Sequence, residues 1–321
     1  MANALQLMKH LLSIEKLPVA DLEQILSNTP RIKAARGREE ARPLAGQTWA
    51  IIFSKSSTRT RVSFEVGIRE LGGSPMFLSA NDIQLGRGEP IKDTARVLGR
   101  MVHGAVIRTF AQQDVEEFAR FSNIPTINAL TDDEHPCQIL ADILTFQEKR
   151  GSIRGKTVAF IGDGACNVAH SWIWAAVKLG FHLRIASPPP FQPSPTLLSR
   201  AGAKSSGAKP AVYEFASGAK VLVTEDLNLA ADGADLLYTD VWVSMGKEAE
   251  AEERLRILAG YQINEALVRR ARPDALVMHC LPAYRGKEID DATFEAHAGT
   301  IFDEAENRLH VQKSILTWAV S

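Results

Sequence analysis

The sequence has few of the features that mark secreted, membrane-spanning or disulfide-stabilised proteins. Among its 321 residues there are only three cysteines, Cys137, Cys166 and Cys280. This count is odd and too small for a disulfide framework, so it favours a reducing compartment, and we predict a cytoplasmic protein. No basic segment followed by an apolar one opens the chain, so we expect no signal peptide. The stretch 157–177 lacks Lys, Arg and Glu, but glycines and an aspartate interrupt it, so we expect no membrane helix.

An excess of charge of one sign is also lacking. Lys and Arg total 37 and Asp and Glu total 38, which gives a net charge of −1. This balance excludes binding to nucleic acid through bulk positive charge, although it leaves room for a local basic cluster. We therefore predict neither a nucleic-acid partner nor a membrane partner. The hydrophobic fraction of 45% excludes general disorder, and the length corresponds to roughly two domains of about 100–200 residues each.

Short apolar runs alternate with helix-type patterns along the chain. The runs 48–53 and 157–161 are two examples, and each is followed by a polar loop and a helical pattern. This alternation predicts the α/β class, with two doubly wound parallel-sheet domains joined by helices and a C-terminal helix packing back on the first domain.

Two further patterns concern the ends of the domains. Apolar residues at helical spacing predict helical structure within 5–14 and then at Leu22, Ile25 and Leu26, and another helix over about 304–320. The segment 151–155 has the glycines that stop a helix. It predicts a domain boundary, which gives domains 1–150 and 151–321.

The loop after the first apolar run carries hydroxyls and arginines, including Ser57, Arg59 and Arg61. They fall where a strand gives way to a helix, and the first turn of a helix binds anions through its N–H groups. Arginine adds paired donors that match phosphate. The segment lacks the spacing of a nucleotide P-loop. It predicts an anion site, with a helix cap flanked by solvated charges as the alternative.

Three later loops add polar groups at strand ends. Arg108 follows one apolar run, which suits either a second contact to the anion or a surface charge. His135 and Gln138 flank the start of the next helix and suit a carbonyl or amide group, with a helix cap as the alternative. The Gly-Asp-Gly sequence at 162–164 resembles the start of a dinucleotide fingerprint, but Asn167 stands at the third glycine, so we do not expect NAD binding.

The last two loops suit an amine. The loop that begins at Asp240 contains a carboxylate and the hydroxyl of Ser244, which indicates a cation or amine site, with a surface turn as the alternative. Cys280 ends another apolar run, and Pro282 restricts the backbone beside it. A buried structural cysteine is the alternative.

Together these loops resemble the transcarbamoylase family. The run 57–61, Ser-Thr-Arg-Thr-Arg, is similar to the family's carbamoyl-phosphate motif. Arg108 and the run 135–138, His-Pro-Cys-Gln, match its other carbamoyl-phosphate elements in position and order. The run 240–246, Asp-Val-Trp-Val-Ser-Met-Gly, resembles the Asp-x-x-x-Ser-Met-Gly ornithine loop of the ornithine carbamoyltransferases. The run 279–282, His-Cys-Leu-Pro, resembles their His-Cys-Leu-Pro segment.

The resemblance implies roles for individual residues. It implies that carbamoyl phosphate is bound by Ser57, Thr58, Arg59, Thr60, Gln84, Arg108, His135, Gln138, Cys280, Leu281 and Arg308. It implies that L-ornithine is held by Asn167, Asp240, Ser244 and Met245. The catalytic residues would be Cys280, Arg108 and His135, with Cys280 as a proton acceptor or relay or as an orienting group. Arg59, Arg61, Arg108 and Arg308 would converge on the small anion.

The resemblance also implies partners. Gln84 matches a glutamine that reaches the site of a neighbouring subunit, so we expect a homotrimer or an assembly of trimers. The family uses no metal and no organic cofactor. The alternatives for the acceptor are putrescine and acylated ornithines. The Ser-Met-Gly sequence at 244–246, and the absence after Ile161 of the proline-rich insertion of the acylornithine enzymes, favour plain L-ornithine.

Overall fold

The structure is a computed structural model that describes residues 8–38, 41–79, 88–205, 210–244 and 246–321. Gln84 and Met245 lie outside the described residues. The chain divides into two compact units: Met1–Leu140 together with Arg308–Ser321 form the first unit, and Ala141–Asn307 form the second unit.

The first unit is built on a parallel sheet. Its strands are β1 Thr48–Phe53, β2 Ser74–Ser79, β3 Gly104–Arg108 and β4 Thr126–Leu130. Its helices are α1 Val19–Ala35, α2 Thr58–Glu70, α3 Ile91–Leu98 and α4 Gln112–Ser122. In the described part of the unit the strands lie in the order β2-β1-β3-β4, all parallel. Phe53 pairs with Arg108, so β1 and β3 end side by side.

The second unit is built on a larger sheet. Its strands are β5 Thr157–Ile161, β6 His182–Ala186, β7 Lys204–Ser205, β8 Ala211–Glu214, β9 Lys220–Thr224, β10 Leu236–Thr239 and β11 Leu276–His279. Its helices are α5 Pro136–Arg150, which begins in the first unit, α6 Asn167–Leu179, α7 Pro195–Arg200, α8 Leu227–Ala231, α9 Ala251–Leu258, α10 Glu265–Val268 and α11 Asp291–Ala319, which ends in the first unit. Within the described residues the strand order is β11-β10-β5-β6-β9-β8-β7.

The central strands of both sheets are almost continuously apolar because helices cover both faces. In β5, for example, the last four residues of Thr-Val-Ala-Phe-Ile are fully buried. The predicted α/β class with two parallel-sheet domains is confirmed. Successive parallel strands deliver their carboxyl ends to one edge of each sheet, which is where open α/β sheets bind ligands.

The C-terminal helix packs on the first unit, as predicted. Its last residues, from Arg308 onward, belong to that unit. The Lys313 ammonium lies 2.8 Å from Glu70 of α2, and the Ser314 hydroxyl donates to the Ile25 carbonyl of α1 at 2.8 Å. The domain boundary predicted at residue 150 lies at the end of α5, whereas the two units divide inside that helix; the predicted boundary stays a prediction.

The structure differs from the sequence-based expectations at three places. The predicted helix within 5–14 is wrong for its described part, because Leu11 bridges to Ile127 and its N–H donates to the Thr126 carbonyl. Tertiary pairing along β4 therefore overrides the helical spacing. The second difference is the length of the C-terminal helix, which starts at Asp291 and not near residue 304 as predicted.

The third difference is at the edge of the second sheet. β8 pairs antiparallel with β9 and with β7, so this sheet is parallel only over its other strands. The sequence analysis did not predict the edge strands β7 and β8, because they carry no sustained apolar run and are mostly exposed or half-buried.

Two searches of the described residues gave negative results. None of the helices in this part of the chain combines the length and the apolar character that a bilayer crossing requires. No group of three or more His, Cys, Asp or Glu side chains among these residues is arranged to hold a metal ion.

Candidate active site

The candidate site of the first unit begins at the N-terminus of α2. Ser57 is the N-cap: its backbone is extended, with φ −164°, and its Oγ accepts the Thr60 N–H at 3.3 Å. The Ser57 hydroxyl also donates to Thr60 Oγ1 at 3.0 Å. Thr58 is exposed and Arg59 is half-buried in the same turn. This turn presents backbone N–H groups and the positive end of the helix dipole to an anion.

Two buried arginines meet at the Thr60 hydroxyl. Arg108 Nη1 lies 3.5 Å from Thr60 Oγ1, and Arg308 Nη2 donates to the same oxygen at 3.0 Å. Arg308 Nη1 also donates to Gln138 Oε1 at 2.6 Å. Ser57, Thr60, Arg108, Gln138 and Arg308, which we call the Thr60 cluster, therefore lie together although they come from four separate segments.

His135 lies close to the same arginines. It is 5% exposed. Burial lowers its pKa well below the ordinary value of 6.5, and the charges of Arg308 and Arg108 lower the pKa further. The imidazole is therefore neutral near pH 7 and has one N–H to donate and one nitrogen to accept.

Lys55, which follows β1, is a buried cation that the sequence analysis did not single out. Its side chain is only 5% exposed, forms an ion pair with Asp132 and lies 4.3 Å from the centre of the Phe110 ring. A lysine between the end of β1 and the start of α2 was the available signal, because it adds a cation next to the helix N-terminus.

Arg61 was expected to converge on the anion with the other arginines. Its side chain is exposed, and its Nε donates to Glu65 at 2.8 Å.

The Cys137 thiol is structural. Burial raises its pKa to about 12, and its Sγ donates to the Asn128 carbonyl at 3.4 Å. It is fully buried in the first turn of α5. A protonated, enclosed thiol is neither a nucleophile nor a proton acceptor.

The candidate site of the second unit lies at the carboxyl ends of β10 and β11. Thr239 pairs with His279, so the next residues, Asp240 and Cys280, are neighbours. The Cys280 thiol donates to Asp240 Oδ1 at 2.9 Å, and the Val241 N–H donates to the same oxygen at 2.7 Å.

The protonation of this pair follows from its surroundings. Burial raises the pKa of Asp240. Burial, and then the charge of Asp240, raise the pKa of Cys280 well above its ordinary value of 9.0. The thiol therefore stays protonated near pH 7, and Asp240 is the acceptor in the pair. This geometry favours an orienting role for Cys280 over a thiolate base.

His279 fixes the backbone around Cys280. Its Nδ1 accepts the Leu281 N–H at 2.9 Å, so the proton of the neutral ring is on Nε2, which lies 3.1 Å from Glu288 Oε1. Leu281 has φ +58°, a left-handed backbone that bulky residues rarely adopt and that clusters at functional sites. The segment 279–282 is therefore held in one specific conformation.

A buried pair of carboxyl groups lies behind these strand ends. Glu304 of α11 accepts the His279 N–H at 2.9 Å and the Tyr238 hydroxyl at 3.4 Å. Burial, and then the neighbouring Asp142 of α5, raise the pKa of Glu304 well above 4.5. Both carboxyl groups are fully buried, so the pair holds a proton near neutrality. No sequence pattern indicated this pair.

The remaining predicted site residues of the second unit lie in two loops. Asn167 is the first residue of α6 and is half-buried. Cys166 caps that helix through its sulfur, which accepts the Ala169 N–H at 3.4 Å. Ser244 is half-buried in the loop after β10. β5 and β10 are neighbouring parallel strands, so these two loops leave the same edge of the sheet.

The fold and the two sets of side chains define a class of protein: two parallel-sheet α/β domains, one with buried arginines at its strand ends and the other with a buried aspartate and cysteine. Comparison with known families narrows this class. Residues 9–148 match the model of the aspartate/ornithine carbamoyltransferase carbamoyl-P binding domain, and residues 154–319 match that of the Asp/Orn binding domain. The chain belongs to the aspartate/ornithine carbamoyltransferase family.

Individual relatives are similar over nearly their whole length. The ornithine carbamoyltransferase of Akkermansia muciniphila is 54% identical over 311 residues, covering 96% of this chain and 97% of that protein. The solved structure of an anabolic ornithine carbamoyltransferase from Campylobacter jejuni is 41% identical with a TM-score of 0.88, covering 97% and 99% of the two chains. That of the Pyrococcus furiosus ornithine carbamoyltransferase is 43% identical with a TM-score of 0.86, covering 96% of each chain.

Proposed function

We propose that the chain is an ornithine carbamoyltransferase, which transfers the carbamoyl group of carbamoyl phosphate to the side-chain amine of L-ornithine and releases L-citrulline and phosphate. This activity belongs to arginine metabolism. The observation that carries the proposal is the Asp240–Cys280 pair at the strand ends of the second unit, with its Sγ–Oδ1 distance of 2.9 Å. A carboxylate there suits an acceptor with a cationic side chain.

The Thr60 cluster supports carbamoyl phosphate as the donor. Arg108 and Arg308 are 7% and 3% exposed, so their charges act where solvent screens them little. Arginine pairs match phosphate oxygens, and the first turn of α2 adds N–H donors. Gln138 and the neutral His135 supply uncharged groups suited to the carbamoyl amide and carbonyl.

The charge of the candidate site in the second unit supports ornithine over aspartate as the acceptor. Asp240 would attract the side-chain ammonium of ornithine, whereas the additional carboxylate of aspartate would be repelled. Family membership alone includes both acceptors. Asn167 and Ser244, and Met245 outside the described residues, remain proposed contacts to the amino-acid group of ornithine.

The proposed reaction needs a neutral amine. A side-chain amine has a pKa of about 10.4, so most of it is protonated near pH 7. In the proposed step the amine nitrogen bonds to the carbonyl carbon, the bond from that carbon to the phosphate oxygen breaks, and phosphate leaves with the electron pair. The ammonium of ornithine loses two protons in all: the first passes to Asp240 before the attack, because a raised pKa makes this carboxylate a better acceptor, and the second leaves with the phosphate. Cys280 orients Asp240, and Arg108 and His135 stabilise the developing oxyanion.

We also propose a homotrimer or an assembly of trimers in the cytoplasm, with Gln84 contributing to a neighbouring subunit. Sedimentation equilibrium of the purified protein tests the assembly. A mass of three chains, or a multiple of three, is expected, and a monomer at the concentrations used in the assay would contradict it.

An acceptor panel tests the proposed activity. Purified protein is supplied with carbamoyl phosphate and either L-ornithine, L-aspartate, putrescine or N-acetylornithine, and both phosphate and the carbamoylated product are measured. Ornithine should give the highest kcat/KM, with equal amounts of citrulline and phosphate. Faster carbamoylation of putrescine or N-acetylornithine would establish the alternative, another transcarbamoylase. Binding of phosphate without a carbamoylated product from any of the four acceptors would contradict both the proposed ornithine carbamoyltransferase and the alternative transcarbamoylase.

A further inference from the structure

The Gly-Asp-Gly sequence at 162–164 is not used by the proposed reaction, although it follows β5 at the ligand-binding edge. Gly162 has φ +128°, which L side chains rarely adopt. At Gly164 an added Cβ would lie 2.7 Å from Ile185 Cγ2, so the backbone passes close against β6. Gly162 is therefore explained by its backbone conformation and Gly164 by its close packing. Together they fix the position of the intervening Asp163.

Asp163 forms a buried ion pair with Arg254 of α9. The two side chains are 6% and 8% exposed, respectively. Arginines this buried are nearly always paired, and the desolvation of both charges makes such a pair a weak source of net stability. A role in fixing conformation is a better explanation for its presence.

The same guanidinium holds the loop after β10. Arg254 Nε donates to the Trp242 carbonyl at 2.8 Å. Trp242 lies two residues after Asp240 and two before Ser244, in the middle of the segment proposed to bind ornithine. Arg254 is thus a direct link from Asp163 to that segment.

Arg254 also contacts a third loop, the one that follows β6. The Arg254 guanidinium carbon lies 4.5 Å from the centre of the Phe191 ring, which belongs to a short 3-10 helix after β6. The Ser187 hydroxyl ties this loop to the second glycine, because it accepts the Gly164 N–H at 3.2 Å and donates to the Phe191 carbonyl at 2.6 Å. One guanidinium therefore contacts the loops that follow three adjacent strands, β6, β5 and β10.

We propose that Arg254 and Asp163 are a positioning pair that fixes the loop Asp240–Ser244 and thereby sets the affinity for the amino-acid acceptor. The inference rests on the proposed function for its acceptor, but the geometry of the link is independent of it. Arginine is required because its planar fork donates to a carboxylate and to a carbonyl at once, which the ammonium of lysine cannot reproduce with the same geometry.

The test uses two variants that avoid leaving a buried charge unpaired. Arg254→Lys keeps a cation beside Asp163, and the double variant Asp163→Asn/Arg254→Met removes both charges. Hydrogen exchange of residues 241–244 is measured without substrate, and KM is measured for both substrates. Arg256→Met, an exposed arginine two positions along the same helix, is the matched control.

Both variants should retain cooperative unfolding and show faster exchange at 241–244. Their KM for ornithine should rise by about tenfold or more, because small misplacements of contact groups are costly, while KM for carbamoyl phosphate stays unchanged. Either folded variant with wild-type exchange and wild-type ornithine KM would overturn the proposal. If the wild-type protein makes no citrulline, the proposed function fails, and the exchange measurement alone decides whether the pair holds the loop.

Discussion

The candidate sites of the two units differ in the sign of the charged groups that they bury. In the first unit, Arg108 and Arg308 are buried cations, and burial, followed by the charges of Arg308 and Arg108, lowers the pKa of the neighbouring His135. In the second unit, Asp240 and Glu304 are buried acids whose pKa values are raised. Burial acts in both units: it favours the neutral imidazole of His135 in the first unit, and in the second it raises the pKa of the acids, which makes the carboxylate of Asp240 a better proton acceptor.

This difference matches the two proposed substrates. Carbamoyl phosphate is an anion and requires fixed positive charge, which arginines keep at every physiological pH. The ornithine amine arrives as a cation and must lose a proton, which requires acceptors with raised pKa values. The following changes test this comparison, ordered from the largest expected effect to the smallest.

Asp240→Asn should have the largest effect. The amide keeps the shape but cannot accept the amine proton, so kcat/KM for ornithine should fall by about 10²–10⁴-fold. Steady-state citrulline formation measures this. Asp232→Asn, an exposed aspartate of the same unit, is the control and should retain the wild-type rate. A loss no larger than in the control would remove Asp240 from the proposed mechanism.

Arg108→Gln, in the first unit, should lower activity nearly as much. Losing one donor to a developing oxyanion lowers kcat by about 10²–10³-fold. The exposed Arg100→Gln variant of the same unit controls for general loss of positive charge. Thermal unfolding should remain cooperative in both. Normal turnover in Arg108→Gln would show that the buried arginine is only structural.

Cys280→Ser should have a smaller effect. The serine hydroxyl still donates to Asp240, so the expected fall in kcat/KM is about 2–10-fold, the range for one altered hydrogen bond. Because the thiol pKa is raised, no thiolate takes part, and the pH–rate profile should keep its shape. A step at or below pH 9.0, the ordinary pKa of the thiol, that vanished in the variant would instead identify Cys280 as the base.

The smallest effects concern stability and pH, and they have opposite signs in the two units. The pKa of His135 is lower in the folded state than its ordinary 6.5, so the unfolded chain binds the proton first. Its contribution to the free energy of unfolding is therefore complete above about pH 6.5 and is lost as the pH falls below it. His135→Gln should flatten this acid-side decline in urea unfolding; an unchanged slope would contradict a buried, neutral imidazole.

Glu304 should act in the opposite direction. Its folded-state pKa is raised above 4.5, so its stabilising contribution is complete below that pH and is lost as the pH rises toward the folded-state value. Glu304→Gln mimics the protonated acid and should flatten the decline with rising pH. The exposed Glu306→Gln on the same helix is the control and should leave the slope unchanged. Equal slopes in the two variants would contradict a shared proton at the Asp142–Glu304 pair.

Part of this organisation was predictable from the sequence. Alternating strands and helices place the residues after each strand at one sheet edge, and that rule alone selects Ser57, Arg108, Asp240 and Cys280 as candidates. Their polar side chains follow apolar runs, so local pattern was sufficient. Their individual roles came from the resemblance to the transcarbamoylases and stay proposals.

The supporting contacts were not predictable from local pattern. Arg308 reaches Gln138 across 170 residues of sequence and lies on an ordinary helix. Arg254 and Glu304 likewise sit on helices, where a charged residue is usually solvated. Only the tertiary packing buries them. For the same reason Leu11, at helical spacing in the sequence, lies beside β4 instead of in a helix.

The division of charge between the two units is tested most directly by measuring KM for both substrates in Arg308→Gln and in Asp240→Asn. The account predicts that Arg308→Gln raises KM for carbamoyl phosphate and leaves KM for ornithine unchanged, and that Asp240→Asn does the reverse. Two variants that raise KM for the same substrate would contradict it.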